Sequence, residues 1–145
     1  MSERRSERMS DDRPCYALDG FALLAFLGDE AGAAQVAKRL AEAARGKARV
    51  LLSLITYGEC LYIVERERGL LQAQITVGIV DQLPVQVVAA DRDHVFAAAR
   101  LKARFPISYA DAFALALAQQ HQAVLLTGDP EFKKVQHLVS VEWLA

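Results

Sequence analysis

At 145 residues, with 53% hydrophobic side chains and 17 Lys and Arg against 18 Asp and Glu, the chain has the length and apolar content of one domain with a real core. A net charge of −1 argues against a protein that coats nucleic acid through its overall charge, and against a disordered polyelectrolyte. An enzyme with a local basic rim stays compatible, because the local field is what a ligand meets.

Residues 1–13, "MSERRSERMSDDR", alternate charge with serine. They read as a disordered tail, neither signal peptide nor membrane anchor, with Met9 as an alternative start. Residues 14–145 then read as a single domain. "CYAL" (15–18) is an apolar run ending at Asp19 and predicts a buried strand. "GFALLAFL" follows as a helix, and the alanine-rich segment 30–46 as a second, stopped by Gly46. "VLLS" (50–53) predicts the next strand, leading directly into the helix "LITYGECLYIVERERG", which stops at Gly69. Residues 70–82 read as helical, with Pro84 ending them, and "VQVV" (85–88) as a strand. A helix over 91–105 starts at the capping candidate Asp91. A helix over "PISYADAFALALAQQ" (106–120), the strand "AVLLT" (123–127) and a last strand over "HLVSVEWL" (137–144) complete the chain. No stretch reaches the roughly 18 continuous apolar residues of a membrane span, so a soluble, cytoplasmic protein is expected. Cys15 and Cys60 form no Cys-x-x-Cys pair, and His94, His121 and His137 are scattered. That leaves no zinc or disulfide framework, and two buried thiols that suit a reducing compartment.

Continuous apolar strands alternating with helices imply a parallel sheet covered on both faces. The simplest such architecture is an α/β fold, a three-layer α/β/α sandwich with a central, mainly parallel sheet. With right-handed crossovers the strands end along one edge, where the following helices begin. Asp19 terminates the first strand, and Asp129 follows the fourth. Asp111 lies in the first turn of the helix leading back to that strand, and Glu59 within two turns after "VLLS". The topology therefore predicts that four distant carboxylates meet.

Three of them have a structural reading as well. Asp19 can cap the helix at Gly20, Ser108 and Asp111 can form a variant capping box, and Asp129 before Pro130 fits an N-cap with proline at the first helical position. Glu59 is harder to place that way. Its helical neighbours include Ile55, Thr56, Tyr62 and Ile63, and no basic partner precedes Arg66. In a mostly buried helix such a glutamate is costly unless paired or metal-bound. Clustered carboxylates repel one another, and a divalent cation offsets that repulsion. An all-oxygen donor set favours Mg²⁺ or Mn²⁺, and such ions commonly serve phosphoryl chemistry. Lys133 and Lys134, just beyond Asp129, are the basic residues best placed to touch a phosphate backbone. Arg45, Lys47 and Arg49, and Arg100, Lys102 and Arg104, form two further basic groups. Phe21, Tyr57 and Tyr109 lie near the acids in sequence, as packing or as base-stacking residues.

"YALDGFALLAFL", "LITYGECLYIV", "ISYADAFALALAQQHQAVLLTGDPEF" and "VSVEWL" resemble, in order and spacing, a PIN-domain protein of the VapC toxin type. The resemblance runs from Cys15 to the C-terminus. It implies a magnesium- or manganese-dependent endoribonuclease, the toxin of a type II toxin–antitoxin pair, which dimerises and is blocked by a small antitoxin. On this resemblance Asp19, Glu59, Asp111 and Asp129 form the metal site, with Asp19 and Asp111 as direct ligands. Glu59 and Asp129 complete the shell, and Thr127 supports it by hydrogen bonding. One position departs from the family pattern. Gly20 stands where Thr or Ser is common, so the backbone N–H is kept and a hydroxyl contact is lost. Two alternatives remain: a PIN-fold nuclease that processes RNA or cuts DNA without an antitoxin, and a non-catalytic binding module whose acids are caps and ion pairs. A dehalogenase-type phosphatase is disfavoured by Phe21 at the position of its second Asp, and no Gly-rich phosphate loop follows the first strand.

Overall fold

The computed structural model describes residues 11–145. Residues 1–10 of the expected tail lie outside the described residues. At residues 11–13, Arg13 pairs with Asp11 at 2.8 Å, and Asp11 lies 3.9 Å from Arg49. The elements run β1 (Cys15–Leu18), α1 (Gly20–Leu27), α2 (Ala33–Ala44), β2 (Arg49–Ser53), α3 (Leu54–Arg68), α4 (Leu70–Val80), β3 (Gln86–Val88), α5 (Arg92–Arg104), α6 (Tyr109–His121), β4 (Val124–Thr127), a 3-10 turn (Pro130–Val135) and β5 (Val141–Trp143).

The five strands form one sheet in the order β3-β2-β1-β4-β5. Every pairing is parallel, so the sheet is wholly rather than mainly parallel. Side chains alternate across it, as the pleat requires. Ala17, Leu51 and Leu125 enter the core shared with α5 and α6. Tyr16, Leu18, Val50, Leu52 and Leu126 enter the core shared with α1 and α2, to which Tyr57 and Cys60 of α3 and Val80 of α4 also belong. The three-layer α/β/α sandwich is thus a direct result of strands that are apolar on both faces. Among the described residues no helix is long and apolar enough to cross a membrane.

Several boundaries differ from the sequence expectation for local reasons. The second helix begins at Ala33, not at residue 30, because Gly32 takes φ +93° and cannot be helical there. A Cβ on Gly32 would also lie 2.8 Å from the Leu144 Cβ, so the glycine lets the C-terminus close over α2. The last strand covers only Val141–Trp143, because the 3-10 turn over Pro130–Val135 runs on into turn and bend residues over 136–139. Of the two cysteines expected to be buried, Cys60 is buried and Cys15 is only half-buried.

The chain winds from β1 through β2 to β3 on one side and then crosses to β4 and β5 on the other. β1 and β4 therefore flank the point where strand order reverses, which in open parallel sheets opens a crevice outside the carboxyl ends of the strands. Leu125, wholly buried in β4, anchors this junction. Leu125→Ala is expected to lower unfolding stability by about 2–5 kcal/mol, read from urea denaturation at constant m-value.

Candidate metal and catalytic site

β1 and β4 pair in register at Leu18 and Leu126, so the residues that follow them leave the sheet side by side. Asp19 comes first and is 1% exposed. It is the N-cap of α1, its Oδ1 accepting from the Ala22 N–H at 2.8 Å. Its Oδ2 accepts from the Thr127 hydroxyl. Thr127 Oγ1 in turn accepts from the Asp129 N–H at 3.0 Å. One buried hydroxyl thus ties the end of β1 to the first residues after β4. Burial pushes the Asp19 carboxyl up to about 7, against the lowering effect of its two hydrogen bonds, and the charges of Asp111 and Asp129 add to the rise.

Asp19 and Asp129 cap as expected, whereas among the described residues only the Ser108 half of the Ser108–Asp111 box is formed. Asp111 occupies the third position of α6, and its N–H donates to Ser108 Oγ at 3.1 Å. Asp129 caps the 3-10 turn, accepting from the Glu131 N–H at 2.9 Å with Pro130 in the first position. Capping does not remove the electrostatic conflict. Burial and then the Asp129 charge raise the Asp111 carboxyl to about 6, with Glu59 and Glu131 contributing in the same direction and Ser108 opposing. The Glu59 carboxyl is raised by burial and by Asp129. The charge of Asp129 thus reaches Asp19, Glu59 and Asp111, and those of Asp111 and Glu59 reach Asp19 and Asp111 respectively.

Glu59 differs from expectation in its surroundings. Its helix is not mostly buried: α3 buries only Thr56, Tyr57 and Cys60, and Glu59 is half-buried at the rim. A Cβ on Gly20 would lie 2.9 Å from Glu59 Oε1 and 3.7 Å from Cys60 Sγ. The unusual glycine after the first acid is thus the space that the Glu59 carboxylate occupies.

Whether this set suits a divalent ion follows from its chemistry. The donors are all carboxylate oxygens. Among the described residues none of the four is in an ion pair; the nearby Lys134 is bound to Glu131 at 2.8 Å instead. The hydroxyl of Thr56, buried one turn before Glu59 on the same helical face, has no hydrogen-bond partner. Uncompensated hard anions fit Mg²⁺ or Mn²⁺ in type. In spacing they are not yet a finished cage, since among the described residues no three acidic, His or Cys side chains are drawn together closely enough to hold an ion.

The basic residues separate by position. Arg45, Lys47 and Arg49 lead into β2 and so stand at the opposite edge of the sheet. Arg100, Lys102 and Arg104 lie in the later turns of α5, away from its start at the carboxylate edge. Lys133 and Lys134 are exposed on the 3-10 turn next to Asp129. Sequence reasoning passed over Thr56 and Glu131. Thr56 is legible as the residue one turn before Glu59, whereas Glu131 looks like an ordinary surface acid until the turn folds it beside Asp111.

A PIN-domain family profile matches residues 16–138. No curated protein sequence matches the chain. Solved structures share its fold at low identity. VapBC2 from Rickettsia felis, bound to a DNA fragment from its promoter, superposes with a TM-score of 0.71 at 18% identity, over 90% of this chain and 99% of the other. Mycobacterium tuberculosis VapC20, a sarcin-ricin loop cleaving toxin, gives 0.64 at 20% identity over 83% and 94%. A toxin–antitoxin complex from Klebsiella pneumoniae gives 0.64 at 20% over 88% and 95%.

The raised carboxyls have a definite sign in stability. Asp19 and Asp111 move from 3.8 to about 7 and about 6 on folding. Their contribution is therefore fully present below pH 3.8 and is lost as pH rises through those folded values. His94 and His121, lowered by burial, act in the opposite sense, so a comparison of variants isolates the carboxyl effect. Without divalent ions, the melting temperature of Asp111→Asn relative to wild type is expected to climb from about pH 4 to about pH 7, the range between the unfolded and folded carboxyl values, and to level off above it. A difference that is flat with pH would contradict this electrostatic picture. At the alkaline end, Mn²⁺ is expected to raise the wild-type melting temperature and to leave Asp111→Asn nearly unmoved.

Proposed function

The chain belongs to the PIN-domain family, and on that premise we propose that it is a metal-dependent endoribonuclease, the toxin of a type II toxin–antitoxin pair. The observation that carries this reading is that Asp19, Glu59 and Asp111 are raised by burial and by neighbouring acids, Asp129 among them, while among the described residues none of the four is in an ion pair. Asp19 and Asp111 would hold Mg²⁺ or Mn²⁺ directly, and Glu59 and Asp129 would complete the site through water. A divalent ion bound there supplies an activated water and neutralises charge on the phosphate and the leaving oxygen.

The chain's own residues do the positioning. Thr127 and the Ala22 N–H fix both oxygens of Asp19, so that carboxylate loses little further freedom on binding an ion. Glu59 and Asp129, half-buried at the rim, accept hydrogen bonds from water and orient it towards the phosphate. Lys133 contacts the incoming backbone, and Lys134 joins it on leaving Glu131. An antitoxin partner is supported by the likeness to toxin–antitoxin complexes. Exposed Leu71, Ile75 and Ile79 on α4 are apolar side chains of the kind that a protein partner or a second copy covers.

Purified protein is expected to cleave RNA with Mg²⁺ or Mn²⁺ and to stop on chelation. Asp111→Asn should lower the cleavage rate by at least about 100-fold while keeping its fold, and should relieve growth inhibition on expression. Full activity in the Asn variant would remove Asp111 from the site. A wild type that binds no Mn²⁺ in calorimetry would favour the non-catalytic reading.

A further inference from the structure

The structure sorts the three aromatic residues near the acids. Tyr57 is 7% exposed, and its hydroxyl is committed to Asp81 at 3.1 Å. Tyr109 is exposed, but its ring leans on Phe113 with centroids 5.0 Å apart. Phe21 is different. It is the second residue of α1, a helix that buries Gly20, Ala22, Leu23 and Ala25, so it points away from the core face. It belongs to neither core cluster and remains 42% exposed.

Its ring is nevertheless held. Phe21 Cδ1 and Cζ lie 2.9 and 2.7 Å from where a Cβ on residue 128 would stand, so any side chain at that position would displace the ring. Gly128 leaves bare backbone as its seat. The seat is at the sheet edge, between the end of β4 and Asp129, while Phe21 itself is two residues beyond Asp19. A large apolar surface is thus kept partly in water and fixed in place within a rim of carboxylates. Such a rim repels the phosphates of a polynucleotide, whereas a nucleobase is neutral and presents a π face that an aromatic ring can receive. A paired base has both faces covered by its neighbours in the stack; an unpaired one does not.

We propose that Phe21, seated on Gly128, is a stacking platform for an unpaired nucleobase adjoining the phosphate handled by the carboxylates. The platform restricts substrates to single-stranded segments. It rests on the ribonuclease reading and deepens it.

The test is fluorescence anisotropy with a cleavage-resistant 2′-O-methyl RNA of about ten nucleotides, alone or annealed to its complement, in Mg²⁺. Wild type, Phe21→Ala, Phe21→Leu and Phe21→Tyr are compared after their folds are checked by thermal melting. The Ala variant should bind the single strand about tenfold more weakly. The Tyr variant should recover the loss, and the Leu variant should not, although it fills the seat. None should change duplex affinity. Wild-type affinity in the Leu variant, equal losses on single strand and duplex, or no binding of the single strand by wild type would each overturn the platform. The expected binding pattern without cleavage of unmodified RNA would count against the nuclease reading alone.

Discussion

The carboxylate of Asp19 is the constraint around which the rest is arranged. It is buried at the point where strand order reverses, and both its oxygens are held, one by a helix N-terminus and one by the Thr127 hydroxyl. Desolvating an anion this far is unfavourable, and its carboxyl rises to about 7 accordingly. The two hydrogen bonds reduce that cost without cancelling it. The residue ties β1, α1 and β4 into one corner, and the same corner keeps a charge in want of a counter-ion.

Capping and site-building are one device in this fold. Asp19, Ser108 with Asp111, and Asp129 each start a helical element by accepting backbone N–H groups. Helices following parallel strands begin at the carboxyl edge, so residues chosen as caps are delivered to one place. Capping explains how the carboxylates of Asp19 and Asp129 can sit there at modest cost. Burial first, and then the charges of their acidic neighbours, raise the carboxyls of Asp19, Glu59 and Asp111; capping does not explain that cost, and a divalent ion would relieve it.

Two glycines shape this corner by what they omit. Gly20 leaves room for the Glu59 carboxylate, and Gly128 leaves room for the Phe21 ring. The first turns an apparent loss, the missing hydroxyl after Asp19, into the condition for a third carboxylate to approach. The second fixes an aromatic ring at the rim. Both act through close approach, since neither is given a positive φ.

The sequence by itself determined the layers, because "CYAL", "VLLS" and "AVLLT" are continuous apolar runs, broken only by a terminal Ser53 or Thr127, and only a sheet covered on both faces suits them. It also named the acids expected at one edge, since a parallel sheet sends every strand end there. Boundaries near Gly32 and Val135 were beyond it, because they depend on packing against Leu144 and on a 3-10 turn with weak periodicity. Only the tertiary structure decided that Glu59 stands half-buried at a rim and that the charge of exposed Glu131 reaches Asp111. It alone also showed that the Arg45–Arg49 loop faces the opposite edge and that Phe21, not Tyr57, is free at the site. Strand ends are set by local pattern and topology, whereas which side chain fills a gap depends on neighbours more than a hundred residues apart, as between Phe21 and Gly128.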